Sequence, residues 1–176
     1  MSTPEFQHWQ SLTVRRPDDV RTKRGGPVPL TWQMEKHTEH HDRLANNALP
    51  ADFKFEVERG DAGDALACLA LRESMRRDIE HERGGRIREA AELGATWQQV
   101  ADALDVTPDE ARDLLRAWAA GQHHLYRRDV ERAQDNPVGL TPEQYAAVLA
   151  LLDRDDDEAV PARQERGSAP TGGLGL

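Results

Sequence analysis

The stretch Arg86–Trp118 reads RIREAAELGATWQQVADALDVTPDEARDLLRAW: three short periodic segments separated by the breaks GAT and DVT. The first turn of a helix leaves backbone N–H groups without partners, and each break ends in a residue that can supply one. Thr96 precedes WQQVADAL and Thr107 precedes PDEARDLLRAW, so both are N-cap candidates. Pro108 suits the first helical position, where a missing N–H costs nothing. Glu110 stands three residues after Thr107 and completes a capping box. Val100, Ala101, Leu104, Val106, Ala111, Leu114 and Leu115 hold the apolar pattern. Ala101 is small where two helices approach closely, and Leu104 and Val106 flank the turn. These residues place the chain in the mainly α class, as a helical bundle.

Residues 86–118 resemble the helix-turn-helix superfamily of DNA-binding domains. The family's usual turn glycine is replaced by Asp105, a residue that tolerates left-handed backbone better than most. The resemblance implies a recognition helix, Thr107–Arg116, lying in the major groove. Thr107, Asp109, Arg112 and Arg116 would then be the base-reading set. Arg112 and Arg116, one turn apart, would each reach a guanine edge, and Asp109 or Glu110 would accept from cytosine amino groups. Thr107 and the helix N-terminus would take a phosphate. Gln98 and Gln99 would position against the backbone, and the local basic group Arg127, Arg128 and Arg132 adds phosphate contacts through Arg127 and Arg128. The function implied is transcriptional regulation by operator occupancy, with double-stranded DNA as partner.

Charge supports a different use of the same shape. The chain carries 23 Lys+Arg against 32 Asp+Glu, a formal net charge of −9 over 176 residues. That composition argues against a non-specific nucleic-acid coat, which needs basic surface. Residues 84–120 hold four basic groups (Arg86, Arg88, Arg112, Arg116) against seven acidic ones (Glu89, Glu92, Asp102, Asp105, Asp109, Glu110, Asp113). The second expectation is therefore a helical protein-interaction module that does not bind DNA, anchored by an exposed Trp97 or Trp118. Surface charge separates the two. A contiguous positive face with Arg112, Arg116, Arg127 and Arg128 favours DNA, and an acidic face favours protein.

Other classes find little support. The single Cys68 lies in the apolar run DALACLAL and excludes an internal disulfide and a cysteine zinc module. No nucleophile elbow, phosphate loop or dinucleotide fingerprint occurs, so neither an enzyme nor a cofactor is expected. No apolar run reaches membrane-span length and no signal-peptide pattern opens the chain, which points to a cytoplasmic protein without membrane contact.

Outside the central stretch, residues 1–30 read as an irregular basic arm, either reaching phosphates or forming an ordinary loop docked by Phe6 and Trp9. Within it SLTVRR (Ser11–Arg16) alternates enough for a short strand. Residues 31–60 give a helix and then the strict alternation FKFEVE (Phe53–Glu58), a second strand, so that a small two-stranded β element forms near the N-terminus. On the helix, Leu30, Met34, His37, His41, Leu44 and Ala48 are expected on one face. His37, His40 and His41 admit three readings: a buried histidine face, a pH-sensitive packing surface, or a metal site for which no third ligand is evident. No metal site is assigned.

Residues 61–135 hold a long helix capped by Asp61 and the helix-turn-helix core. Glu73–Arg77 and Glu82–Arg86 have the favoured order for ion pairs one turn apart. Gly84-Gly85 is read as a kink in a helix that continues, and its several apolar sides suit a homodimer. Residues 136–158 give a covering helix opened by the capping box at Thr141, and the run DRDDDE (Asp153–Glu158) is read as its solvated end. The composition of residues 159–176 predicts a disordered tail.

Overall fold

The computed structural model describes residues 3–158, and among them it is mainly helical, with six α-helices and no strand. The disordered tail expected over 159–176 lies outside the described residues. The chain divides into two compact units, Met1–His81 and Glu82–Leu176.

In the first unit, helix α1 (Pro4–Ser11) is capped by Thr3, whose hydroxyl accepts from the Phe6 N–H at 3.2 Å. Residues 3–30 are thus neither wholly irregular nor free. Trp9, Val14, Val20 and Val28 are buried in one core with Ala70, Leu71 and Met75. Helix α2 (Leu30–Ala45) docks on α1 through Lys36, whose Nζ donates to the Gln10 and Leu12 carbonyls at 2.9 and 2.7 Å. Its ammonium also lies 5.0 Å from the centroid of the Trp9 ring.

The face of α2 that is buried is not the one the apolar spacing suggests. Gln33, Lys36 and His37 are inside, while Met34 and His41 are exposed. Gln33 and Lys36, whose donors meet acceptors, and His37, which accepts from Arg72, win over Met34 because a buried polar group with a partner costs little. The expected β element is absent for a related reason. Ser11 ends α1, the Leu12 carbonyl is taken by Lys36, and the Arg15 and Arg16 N–H groups donate to the Asp19 carboxylate. No free edge is left for Phe53–Glu58 to pair with, and Phe53 and Phe55 stay exposed.

Helix α3 (Ala62–Glu92) runs without interruption through Gly84 and Gly85. Asp61 caps it, accepting from the Asp64 N–H at 3.0 Å. Both expected ion pairs form, Arg77–Glu73 at 2.9 Å and Arg86–Glu82 at 3.4 Å. Gly84 is required for approach: a Cβ there would stand 2.2 Å from the Trp118 side chain.

The second unit adds α4 (Trp97–Leu104), α5 (Pro108–Glu131) and α6 (Pro142–Leu152) to the end of α3. Thr96, Thr107 and Thr141 each close a capping box with the residue three positions on. The core joins Ile87, Trp97, Val100, Ala111, Leu115, Ala119, Leu140, Val148 and Leu152.

Candidate nucleic-acid interface

Helices α4 and α5 meet at a turn whose first residue, Asp105, sits at φ 56° and ψ 47°. That left-handed backbone reverses the chain, and the Val106 N–H returns to the Ala101 carbonyl at 3.1 Å. Ala101 has no exposed surface, which lets the two helices cross closely. The Thr107 hydroxyl accepts from the Glu110 N–H and donates to the Glu110 carboxylate. The Glu110 carboxylate also accepts from the Thr107 N–H at 2.8 Å, and that bond first, then the one from the hydroxyl, hold the carboxyl below its ordinary pKa.

The base-reading candidates do not share one condition. Asp109 is 94% exposed at the side chain. Arg116 is half exposed and paired with Asp113 on its own helix. Thr107 and Glu110 satisfy one another. Arg112 is only 13% exposed, and its guanidinium donates to the Arg154 carbonyl at 2.8 Å, meets the Asp156 carboxylate at 2.6 Å and stacks over the Trp97 ring at 5.1 Å. It therefore lies against the chain segment that follows α6.

The phosphate candidates are also engaged. Gln98 Nε2 donates to Asp102 at 2.8 Å, and Gln99 Oε1 accepts from the Thr96 N–H at 3.0 Å. Arg127 and Arg128 are exposed but pair with Glu131 at 3.8 Å and Asp129 at 3.5 Å. Of Arg112, Arg116, Arg127 and Arg128, the first is largely covered and the other three each pair with an acid on α5. The exposed acids Asp102, Asp105, Asp109 and Asp113 lie along the same helix pair.

Two expectations are corrected here. Trp97 is 2% exposed, with its Nε1 donating to the Leu151 carbonyl at 3.1 Å, so it is a core residue and not a surface anchor. Asp153–Glu158 is not merely a solvated helix end. The Asp156 carbonyl accepts from the Gln98 N–H at 3.1 Å, and Arg154 Nη2 donates to the Ala91 carbonyl at 3.0 Å. Arg154 and Asp156 thus belong to the site although their run of charge reads as solvent. The signal available was the single arginine inside DRDDDE.

The histidines are placed in the other unit. His40 lies 2.7 Å from the Asp64 carboxylate, and the Arg72 Nε donates to His37 Nε2 at 2.9 Å. His41 stacks on His37, the ring centroids 6.0 Å apart. Among the described residues no three His, Cys, Asp or Glu side chains gather to hold a metal ion, and no helix is long and apolar enough to cross a membrane. Cys68 is buried, which raises its thiol pKa. No protein-family model, curated protein or solved structure matches the chain.

Proposed function

We propose that residues 86–118 act as a helix-turn-helix unit that docks α5 on duplex DNA, and that the protein regulates transcription by occupying an operator. The observation that carries this reading is the joint between α4 and α5. A left-handed Asp105, a surface-free Ala101 and two reciprocal capping boxes are the backbone requirements of a helix that projects its N-terminal half into a groove. Arg116 is the base reader nearest to hand, and Arg112 becomes one on leaving Asp156. Thr107, Asp109, Gln98, Gln99, Arg127 and Arg128 keep the subsidiary roles given to them above, and a second copy of the chain would supply a paired half-site.

A second reading is favoured by one observation, the exposed acids along α4 and α5. With Arg112 engaged and Arg116 neutralised, that face repels phosphate and suits a basic protein surface. Selection from random-sequence duplexes at low salt, with an Arg112→Ala/Arg116→Ala control, decides between them. DNA binding predicts an enriched motif that the double variant loses. Protein binding predicts no enrichment by either.

A further inference from the structure

We propose that Asp153–Glu158 is an autoinhibitory strap that holds Arg112 and the first turn of α4 in place of duplex DNA, so that the duplex must displace it. The duplex then meets Arg112 with phosphate on random sequence and with a base edge at a matched site. The inference rests on the DNA-binding reading. It adds a closed state in which one of the two arginine base readers, Arg112, is blocked by the protein's own acid.

Three observations converge. First, the strap takes both groups that the docked helix pair would offer an anion. The Asp156 carboxylate meets the Arg112 guanidinium at 2.6 Å, and its carbonyl accepts from the Gln98 N–H at 3.1 Å. A phosphodiester has the same needs, two acceptor oxygens and negative charge, and a guanidinium together with a helix N–H serves them. Secondly, the strap is held by polar contacts alone. DRDDDE contains no apolar side chain, so no hydrophobic burial fastens it, and Asp156 is 52% exposed. An ion pair whose carboxylate is half exposed is screened by water on that side and yields to a competitor. Thirdly, closure is imperfect. Arg154 Nη1 is buried without a hydrogen-bond partner among the described residues, an unsatisfied donor that favours opening.

Displacement exchanges one anion for another at Arg112 and also removes four neighbouring carboxylates (Asp153, Asp155, Asp157, Glu158) from the path of the phosphate backbone. The acidic strap and the acidic net charge of this protein then work together, keeping random duplex off until a matched site supplies enough contacts.

The test is a fluorescence-anisotropy titration of the full chain with a random-sequence duplex over a salt series. Asp156→Ala should tighten binding by roughly tenfold and steepen the salt dependence by about one phosphate contact. The carboxylate that competes with DNA for Arg112 is removed, and only the weaker holds of the Arg154 carbonyl and Asp109 remain. Asp157→Ala removes the same charge but no contact to Arg112, and should change affinity far less. In an Arg112→Ala background the Asp156→Ala gain should vanish, the signature of coupled residues. Equal gains from Asp156→Ala and Asp157→Ala, a gain that survives Arg112→Ala, or no gain from Asp156→Ala overturn the strap and leave DNA binding standing. Absence of binding by every variant at low salt overturns the DNA reading, and the strap with it.

Discussion

The two units bury different chemistry. Between Glu82 and Leu176 the buried residues are nearly all apolar, with Asp129 the one charged exception among those described. Between Met1 and His81 the interior includes Gln33, Lys36, His37, Asp64 and Ser74. The second unit is assembled by capped helices closing over a hydrophobic core. The first adds to its own apolar core hydrogen bonds from buried polar side chains to backbone carbonyls and to one another. Apolar packing tolerates chemical change but not loss of volume, whereas polar packing tolerates neither loss of a partner nor a change of protonation.

The largest expected effect tests the apolar side of this contrast. Trp97→Ala removes a fully enclosed ring that also donates to Leu151, and should cost about 3–5 kcal/mol. Hydrogen exchange at core amides of α4 and α5 would show it, and a loss below about 1 kcal/mol would mean that the second unit does not depend on this core. The polar side is tested by Lys36→Met, which keeps the length but deprives the Gln10 and Leu12 carbonyls of their donor. A loss of about 1–3 kcal/mol in the first unit is expected. A neutral result would show that burial of the alkyl stem alone holds α1.

Acid should separate the units further. His37 accepts from Arg72, so it is held neutral; burial first, and then the Arg72 charge, push its pKa below the ordinary value. A histidine depressed in the folded state contributes stability that is complete above the unfolded pKa of about 6.5 and is lost as pH falls through the folded value. Protection of first-unit amides should therefore decline below about pH 6.5, and His37→Gln should flatten that decline. Asp64 adds a second loss at lower pH, because His40, the Asp61 N–H and Arg43 hold its carboxyl well below the usual range. An identical acid response in wild type and His37→Gln would remove the histidine from this account.

The smallest effect sharpens the comparison at a helix end. Thr107→Ala should cost about 1 kcal/mol by orphaning the Glu110 N–H. An unchanged denaturation midpoint would mean that the capping box adds nothing to the core beneath it.

What could be read from the sequence follows the same division. Thr96, Thr107 and Thr141 announce their helices because capping is local and its spacing is fixed by the helix itself. The ion pairs on α3 and the cap at Asp61 are legible for the same reason. The buried face of α2 is not, since Lys36 is buried because the Gln10 and Leu12 carbonyls await it, 26 and 24 residues away and in no periodic pattern. FKFEVE has the alternation of a strand, but alternation says nothing about whether a free edge exists. At the candidate interface the sequence identifies Arg112 by its place on the helix. It does not disclose Asp156, because an acidic run after a helix carries no sign of where it folds back.

The most direct test of the central proposal is the affinity of full-length protein for a selected duplex, compared with point variants on α5 and beyond it. If α5 reads bases, Arg112→Ala and Arg116→Ala each remove about 1–3 kcal/mol of specific affinity and relax preference at one base pair. Arg127→Ala, further along the helix, weakens all sequences alike. A protein that selects no duplex at low salt, and still selects none after Asp109→Asn and Asp113→Asn have relieved the repulsion, contradicts the proposal and leaves the helix pair as a surface for protein.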